Sequence, residues 1–456
     1  MKKFALILCF SFLASIAISN SNAQAGGLEA LKKHSEMFRK DIINIADNIY
    51  VAVGYAASNP SMIVGDDGII IIDTTESIEA AGNALAEFRK ITDKPIKAII
   101  YTHGHRDHVS GAKVFADEGS KPEIYARSNV FNPLDPKNKK RPGYFKILGK
   151  RTVRQFGIRM LKPHTERINI GLGPAVRPIK GLGKGFVAPT KTFSGDQMDI
   201  TVSGVRMELH KAAGETNDQL FVWLPEKKVL FCGDNFYQAF PNLYAIRGTK
   251  YRDFNIWANS LDKMTAFPIE HLISGHTRPI SGAEEAKQAL MDYRDAIRFI
   301  ISKTAEGMNK GLTPDDLVEY VKLPAHLAEK YYLQEFYGSV AWSVRAYFAG
   351  TLGWFDGNPS TLFPTSPDEK AKRMAELVGG EDVLLAKMKK AAEAGEFQWA
   401  MELADLIIRL GTHKKEATAV KANALRALAD QQINACARNY YLTYAKELMK
   451  KPGKKK

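Results

Sequence analysis

Three histidines and an aspartate lie within six residues of the stretch THGHRDHVSGA, between His103 and His108. The chain has 456 residues but only 10 histidines, so this loop holds an unusual share of them. Neutral imidazoles and carboxylates are the usual protein ligands of zinc. Because His103 and His105 are two positions apart, both can reach one ion from an extended turn, while Asp107 and His108 point elsewhere. The stretch therefore predicts a metal site with room for a second ion.

A metal site needs more ligands than one loop supplies, and the sequence offers them at the ends of later predicted strands. Glu215 comes just before a strand in AAGETNDQ, Asp234 ends the apolar run KKVLFCGD, and His276 ends HLISGH. Taken alone, either acidic residue is equally well explained as a helix cap or a turn former. Together they predict a dinuclear centre in which each ion has its own ligands and one carboxylate bridges the pair. The predicted ligands are His103, His105 and Glu215 for one ion, Asp107, His108 and His276 for the other, and Asp234 as the bridge.

Two zinc ions that share a carboxylate and a water lower the pKa of that water to near neutrality and generate a hydroxide. We expect Asp234 and Asp107 to hold this water, and the ions to anchor an anionic oxygen of the substrate. The predicted chemistry is hydrolysis with two Zn2+ per chain, although iron or manganese would also suit these ligands. The other histidines lack such neighbours and are interpreted as structural or surface residues: His34, His164, His210, His271, His326 and His413.

The elements around the loop predict an α/β fold. Short β-rich runs with turns fill residues 48–73, with a hairpin signal at Asp66-Asp67-Gly68. A helix over 76–91 and an apolar strand over 96–101 lead directly into the histidine-rich loop, and another helix and strand follow it. Strand, loop, helix and strand in this order place the loop at the end of a strand, where such sheets usually carry their sites.

The pattern changes twice further along the chain. Residues 131–190 are basic and rich in Gly and Pro, which indicates an insertion over one end of the sheet. Strands then resume, and beyond Ser281 the pattern is helical nearly to the end, with alanine-rich amphipathic helices over 368–449. We predict a catalytic domain over 26–300 and an all-α domain over 301–450, followed by a solvated lysine-rich tail at 451–456.

The N-terminus resembles an export signal. Lys2 and Lys3 precede the short apolar run Phe4–Ile18, and an Ala-x-Ala pattern ends at Ala25. We expect cleavage near Ala25 and a periplasmic or secreted protein without a membrane span. The two cysteines beyond this segment, Cys232 and Cys436, are far apart and are predicted to be buried thiols.

The formal net charge is +14, and about +7 remains once Lys2, Lys3 and the five lysines of residues 450–456 are set aside. A moderately basic body of this kind favours anionic ligands through its long-range field. Basic and aromatic residues do not alternate, and no recognition helix is evident. Nucleic acid is therefore not an expected partner.

The THGHxDH loop, Asp234 and His276 resemble, in this order, the metallo-β-lactamase-fold hydrolases, which implies an αββα sandwich. Most members have a histidine where this chain has Glu215, within Gly214-Glu215-Thr216. A glutamate there is similar to the alkyl sulfatases, the branch that hydrolyses dodecyl sulfate. Those enzymes have a glutamate as the bridge, whereas this chain has Asp234.

Further segments resemble the alkyl sulfatases over roughly residues 40–450. Asn242–Gly248 with Arg252-Asp253 is similar to the sulfate-site segment, and Gly353–Pro359 to a hallmark between the catalytic and helical domains. Arg438–Leu442 resembles the end of the dimerisation domain. The resemblance implies an all-α dimerisation domain and a homodimer through the C-terminal helices. Relatives usually add a C-terminal sterol-carrier-like domain, and this chain ends before one.

The resemblance also implies substrate contacts. Arg247 offers a planar pair of donors that matches sulfate oxygens, and Gly173 matches a glycine whose backbone lines the sulfate pocket. Other pocket positions differ: Phe156-Gly157-Ile158 replaces Tyr-Gly-Asn, and Ala341-Trp342-Ser343 replaces Ser-His-Asn. Apolar groups thus stand where relatives have polar ones.

The favoured function is zinc-dependent hydrolysis of a small ester with an anionic sulfate head and an apolar tail. Trp354, Phe355, Phe156 and Trp342 are candidates for the wall of a tail pocket. The altered pocket residues keep open a phosphoester, lactone or β-lactam hydrolase. A metal-stabilised dimeric binding protein without catalysis is the alternative of another class.

Overall fold

A computed structural model describes residues 26–117, 119, 121–134, 143–160 and 167–450. The predicted signal segment 1–25, His164 and the lysine-rich tail 451–456 lie outside the described residues. The chain forms two compact units. The first comprises the described residues of His34–Leu148 and Asn169–Asp356, and the second comprises those of Met1–Lys33, Gly149–Ile168 and Gly357–Lys456.

The first unit is built on two β-sheets. One has seven strands in the order β1-β2-β3-β4-β5-β6-β7 and the other six in the order β13-β12-β11-β10-β9-β8. The strands of the first sheet are β1 (Asp41–Ala46), β2 (Ile49–Val53), β3 (Ser61–Val64), β4 (Ile69–Ile72), β5 (Ile96–Ile100), β6 (Glu123–Arg127) and β7 (Lys191–Phe193). Those of the second are β8 (Gln197–Val202), β9 (Val205–Lys211), β10 (Leu220–Leu224), β11 (Val229–Gly233), β12 (His271–Ser274) and β13 (Ile280–Ser281).

The helices are α1 (Ile78–Phe88), α2 (Arg106–Val109), α3 (Ala112–Ala116), α4 (Phe145–Gln155), α5 (Phe254–Thr265), α6 (Ala283–Asn309), α7 (Pro314–Tyr320), α8 (Ala325–Ala328) and α9 (Val340–Leu352). They are followed by α10 (Pro367–Val378), α11 (Glu381–Glu393), α12 (Phe397–Leu410), α13 (Lys414–Asp430) and α14 (Ala435–Leu448). None of these described helices is long and apolar enough to cross a membrane.

The main core lies between the two sheets. Ile70 and Ile100 from the first sheet and Leu209, Val222 and Phe231 from the second belong to one buried apolar cluster. Strand β4 is buried at all four positions, which explains why its sequence is the continuous apolar run IIII rather than an alternating pattern. The predicted hairpin at residues 66–68 is confirmed, because it joins β3 to β4 in an antiparallel pair.

Helices cover the outer faces of both sheets. Ala84 and Phe88 of α1 pack with Ile71 and Ile99 behind the first sheet. Ser77 begins α1, because its hydroxyl accepts a hydrogen bond from the Ala80 amide. Behind the second sheet α5 contacts the chain just after β9 and β11, through hydrogen bonds to the carbonyls of residues 213 and 235. The four layers are the predicted αββα sandwich.

The second unit is helical, as predicted. Helices α11 to α14 pack against one another in sequence, with alanines buried where they meet. Gly395 and Gly411, both at positive φ, follow α11 and α12. The described cysteines, Cys232 and Cys436, are both buried thiols, as expected.

The predicted domain boundary near residue 300 differs from the structure. Residue 300 lies inside the 27-residue helix α6, and the unit that holds the sheets continues to Asp356. Part of the predicted insertion, the described residues of Gly149–Ile168, belongs to the helical unit instead. The change from strand to helix patterning marks the outer layer of the sandwich, because α6 packs against α5 there.

Candidate metal centre

The histidine-rich loop follows β5, a strand buried at four of its five positions. The end of β5 determines where the loop leaves the sheet. The short helix α2 begins directly after His105. His103 and His108 are fully buried, so both imidazoles face into the protein. The two later strands β11 and β12 pair in parallel, and their ends bring Asp234 and His276 to the same edge of the second sheet.

Six of the seven predicted ligands come together in two groups. In each group, one potential ligand atom from every residue lies within 4.8 Å of the others. The members of the first group are His103, His105 and Asp234, and those of the second are Asp107, His108 and His276. No other described residues form such a group, so the remaining described histidines lie outside any of this kind.

Asp234 lies between the two groups. Its Oδ2 is 3.6 Å from Nε2 of His103, in its own group, and 3.3 Å from Nε2 of His276, in the other. Its Oδ1 is 3.4 Å from Nε2 of His108. Asp107 completes the arrangement, with Oδ2 at 3.4 Å from Nε2 of His276. A carboxylate that faces both groups has the geometry required of a bridge.

Several buried polar atoms at this centre lack a hydrogen-bond partner. Nε2 of His103, Nε2 of His108 and Oδ1 of Asp234 are all in this state. Leaving a buried acceptor without a partner costs about 1–3 kcal/mol, and more for a charged group. Divalent cations at the two groups would satisfy all three atoms, so the donor set fits a metal centre.

The electrostatics of the centre favour added positive charge. Burial lowers the pKa of His103 and of His105 to about 3, so both imidazoles are neutral and can donate a lone pair. Burial also acts to lower the pKa of His276, but the carboxylates of Asp234 and Asp107 outweigh it and raise that pKa to about 10. Without cations, this pair of carboxylates therefore retains a proton on a neighbouring imidazole.

The outer nitrogens of the imidazoles are held by groups that the sequence analysis missed. His108 Nδ1 contacts Oδ2 of Asp73 at 2.7 Å, and Thr102 donates to both oxygens of Asp73. His103 Nδ1 donates to the hydroxyl oxygen of Thr102 at 3.0 Å, because that hydroxyl already donates to Asp73. Such partners fix the tautomer that leaves Nε2 free for a metal. Asp73 had the same signal as Asp234, an acidic residue at the end of a buried strand.

Glu215 is placed beside the two groups but is not a member of either. Its buried carboxylate forms an ion pair with Nη1 of Arg252 at 2.9 Å and accepts a hydrogen bond from the Tyr237 hydroxyl at 3.4 Å. Burial raises the pKa of Glu215 to about 7, against the opposing effect of Arg252. Its role as a metal ligand stays a prediction.

The predicted substrate residues lie close to the centre. Arg247 is half-buried, and its charge contributes to the low pKa of His105. Gly173 packs against Ala57, whose carbonyl accepts a hydrogen bond from His276 Nδ1 at 2.7 Å. A Cβ at Gly173 would lie only 2.9 Å from the Ala57 Cα, so a side chain there would push against this support.

Two protein-family models match the chain. The metallo-beta-lactamase superfamily matches residues 53–276, and the alkyl sulfatase dimerisation family matches residues 313–451. A linear primary-alkylsulfatase of a Pseudomonas species is 41% identical over 394 residues, which cover 85% of this chain and 73% of that protein. This chain belongs to the alkyl sulfatase family of the metallo-β-lactamase superfamily. The predicted family and fold are therefore confirmed.

The chain is also similar to other alkyl sulfatases. An (R)-specific secondary-alkylsulfatase of a Pseudomonas species is 31% identical over 419 residues, 89% of this chain and 62% of that protein. The solved structure of a stereoselective inverting sec-alkylsulfatase from Pseudomonas superposes with a TM-score of 0.82 at 30% identity, covering 92% of this chain and 67% of that one. The chain thus spans about 60–75% of the length of these relatives. For this alkyl sulfatase family member, the fold and the two buried groups imply a divalent metal.

Proposed function

We propose that the protein hydrolyses alkyl sulfate esters at a centre of two zinc ions. The observation that carries this proposal is the carboxylate of Asp234, which lies between two groups of buried histidine and aspartate side chains. The relatives that resemble the chain over most of its length are alkylsulfatases, which supports the sulfate ester as substrate.

The residues have distinct roles in this proposal. Two divalent cations at the centre would supply Lewis-acid charge and lower the pKa of an attacking water. His103 and His105 would hold one cation, with Glu215 as the proposed third ligand of that ion. Asp107 and Asp234 provide the carboxylate oxygens that accept hydrogen bonds from the water and orient it toward the ester.

Arg247 is proposed to bind the sulfate group. A guanidinium donates two parallel hydrogen bonds to a tetrahedral anion, and charge-assisted bonds of this kind contribute about 1.5–3 kcal/mol each. The proximity of Arg247 to His105 supports this assignment. The backbone of Gly173, next to the support of His276, is proposed to line the same pocket.

The apolar tail of the substrate has a candidate contact beside the histidine-rich loop. A Cβ at Gly104 would come within 3.0 Å of the backbone nitrogen of Phe131, so residue 131 lies against this loop. The Phe131 side chain is 52% exposed, which leaves its ring available to an alkyl chain. Trp354, one of the aromatic residues proposed from the sequence for the wall of the tail pocket, is 73% exposed, so its ring is also accessible.

Two further parts of the proposal concern assembly and location. The match of residues 313–451 to the alkyl sulfatase dimerisation family supports a homodimer through the C-terminal helices. The signal-like N-terminus supports export and cleavage near Ala25. Size measurement in solution and N-terminal sequencing of protein from cell fractions would test both.

The function is tested by loading the protein with zinc and assaying dodecyl sulfate, nitrophenyl phosphate, a lactone and nitrocefin in parallel. We expect turnover of dodecyl sulfate, two zinc equivalents per chain and loss of both on removal of the metal with a chelator. His103→Ala should abolish turnover, whereas His413→Ala, far along the chain in the helical unit, should not. Turnover of another ester without activity on dodecyl sulfate would overturn the sulfatase proposal. A folded, metal-binding protein inactive on all four would favour the binding protein.

A further inference from the structure

Three consecutive residues between β2 and β3 lie against the metal centre, although none resembles a ligand. Ala57, Ser58 and Asn59 are all buried, with at most 6% of each residue exposed. The sequence alone gave no reason to single them out. Their hydrogen bonds connect two parts of the chain that are far apart in sequence.

The segment Ala57–Asn59 forms hydrogen bonds with His276 and with both of its neighbours in the chain. The backbone amide of Asn59 donates to the carbonyl of Gly275 at 2.8 Å, and its side-chain amide donates to the carbonyl of Thr277 at 2.5 Å. The carbonyl of Ala57 accepts from the His276 ring. The segment thus contacts the residue before His276, the imidazole itself and the residue after it.

Thr277 has a backbone conformation that needs such support. Its φ is +64°, in the left-handed region that β-branched residues rarely adopt. A residue held there persists only when its surroundings fix it, and such positions cluster at functional sites. The Thr277 hydroxyl donates to the carbonyl of His276 and accepts from the amide of Gln238, while its carbonyl is held by Asn59.

The other contacts of the segment lead to the second ligand of the same group. The hydroxyl of Ser58 donates to the carbonyl of Asp107 at 2.5 Å. The amide of Ala57 donates to Glu76 at 2.8 Å, and Glu76 forms a buried ion pair with Arg177 at 2.6 Å. The segment Ala57–Asn59 therefore contacts both Asp107 and His276, and the Glu76–Arg177 ion pair holds it in place.

We propose that Asn59 is a positioning residue for the group formed by Asp107, His108 and His276. By holding Thr277 in its left-handed conformation, it sets the separation of His276 from Asp107 and so strengthens the binding of a cation at this group. The inference rests on the cation binding of the proposed function. Among the described residues, no hydrogen bond of Asn59 goes to His103 or His105, so the effect is specific to one of the two groups.

The test is a stepwise zinc titration of Asn59→Ala and Asn59→Leu against a chromophoric chelator, with the full-length protein. Both changes remove the amide donor, and Asn59→Leu does so at similar shape and without adding charge. We expect one of the two zinc equivalents to lose 10–100-fold in affinity, while the other stays within about twofold. Cobalt substitution should show the matching loss of one set of visible absorption bands.

The matched control is Asn434→Ala, which removes a buried asparagine that caps α14 in the helical unit. It should lower the melting temperature without changing either zinc affinity. If Asn59→Ala fails to fold, Ser58→Ala gives the same test at the Asp107 end of the segment, with the same expected loss at one equivalent.

Unchanged zinc affinities in a folded variant, or equal weakening of both equivalents, would overturn the proposal for Asn59. In that case the wild-type protein still binds two equivalents, and the proposed function stands. A wild-type protein that binds no zinc, cobalt or other divalent metal overturns both proposals together.

Discussion

Asp73 Oδ2 and His108 Nδ1 are hydrogen-bonded at 2.7 Å, at the end of the fully buried strand β4. Asp73 has a φ of +59°, a conformation that a short polar side chain tolerates better than most. Because Thr102 donates to the same carboxylate, one buried acid connects the start of the histidine-rich loop with its end. This contact determines which nitrogen of His108 is available to a cation.

Asp73→Asn should therefore weaken the metal centre although Asp73 is not a predicted ligand. An amide can present its N–H to His108 Nδ1 and so favour the wrong tautomer. We expect a 10–100-fold loss in metal affinity or in turnover of an alkyl sulfate, measured by zinc titration and by initial rates. Asp67→Asn, on the exposed hairpin turn, is the control. Wild-type values in Asp73→Asn would show that the contact is not needed.

Arg252→Met should destabilise the metal-free protein. The ion pair between Arg252 and Glu215 is almost completely buried, and removal of one partner leaves a buried charge uncompensated. The expected decrease in the free energy of unfolding is about 3–5 kcal/mol, from denaturant titration above pH 8 in the presence of chelator. Arg278→Met removes a partly exposed pair with Asp41 and should cost at most about 1 kcal/mol.

A double variant sharpens this prediction. Arg252→Met combined with Glu215→Gln should recover part of the lost stability, because no buried charge remains. Equal stability of the single and double variants would mean that the carboxylate of Glu215 is compensated by another group.

His34 should make the stability of the protein depend on pH. Burial lowers the pKa of His34 to about 4, against the opposing effect of its hydrogen bond to the Gly171 carbonyl. Between pH 6.5 and 4 the unfolded chain binds a proton that the folded state excludes. This contribution to stability is therefore complete above pH 6.5 and is lost as the pH falls toward 4, by roughly 3 kcal/mol in total.

The measurement compares the free energy of unfolding of wild-type protein and His34→Gln in steps from pH 7.5 to 4.5. Over this range the free energy of unfolding of the variant should depend less steeply on pH, by up to the equivalent of one bound proton. His413→Gln controls for the loss of an imidazole elsewhere. Parallel curves for wild-type protein and His34→Gln would contradict the prediction.

Arg247→Ala should act on substrate binding. If Arg247 binds the sulfate group, its loss removes charge-assisted hydrogen bonds and raises KM for dodecyl sulfate roughly 10–100-fold. Inhibition by inorganic sulfate should weaken in parallel. Lys250→Ala, at an exposed neighbouring position, should leave both values unchanged. An unaltered KM with a reduced kcat would place Arg247 at the reacting atoms instead.

The sequence predicted what depends on residue type and strand ends. Clustered imidazoles have few other reasons to follow a buried strand, so His103 could be named as a candidate, and Asp234 could be named because Glu215 and His276 also lie next to predicted strands. Asp73 had the same position at a strand end, but a single aspartate there is also an ordinary turn former. Nothing in its type or spacing indicated the contact with His108.

Contacts made by the backbone were not predictable. The support of His276 by Ala57 and Asn59 uses two backbone groups and one amide, and any residue type supplies the first two. Glu215 illustrates a related limit, because its partner Arg252 lies 37 positions away and only the folded chain shows the pairing. The division into compact units depends on the same long-range contacts.

The guanidinium of Arg154, in Gly149–Ile168, pairs with the carboxylate of Glu447, 293 positions later in the chain. At about 5–20 residues per second, translation separates these two partners by roughly 15–60 s. During that interval the C-terminal helix that carries Glu447 has not yet been made. The Arg154–Glu447 pair can therefore form only after almost the whole chain has been synthesised.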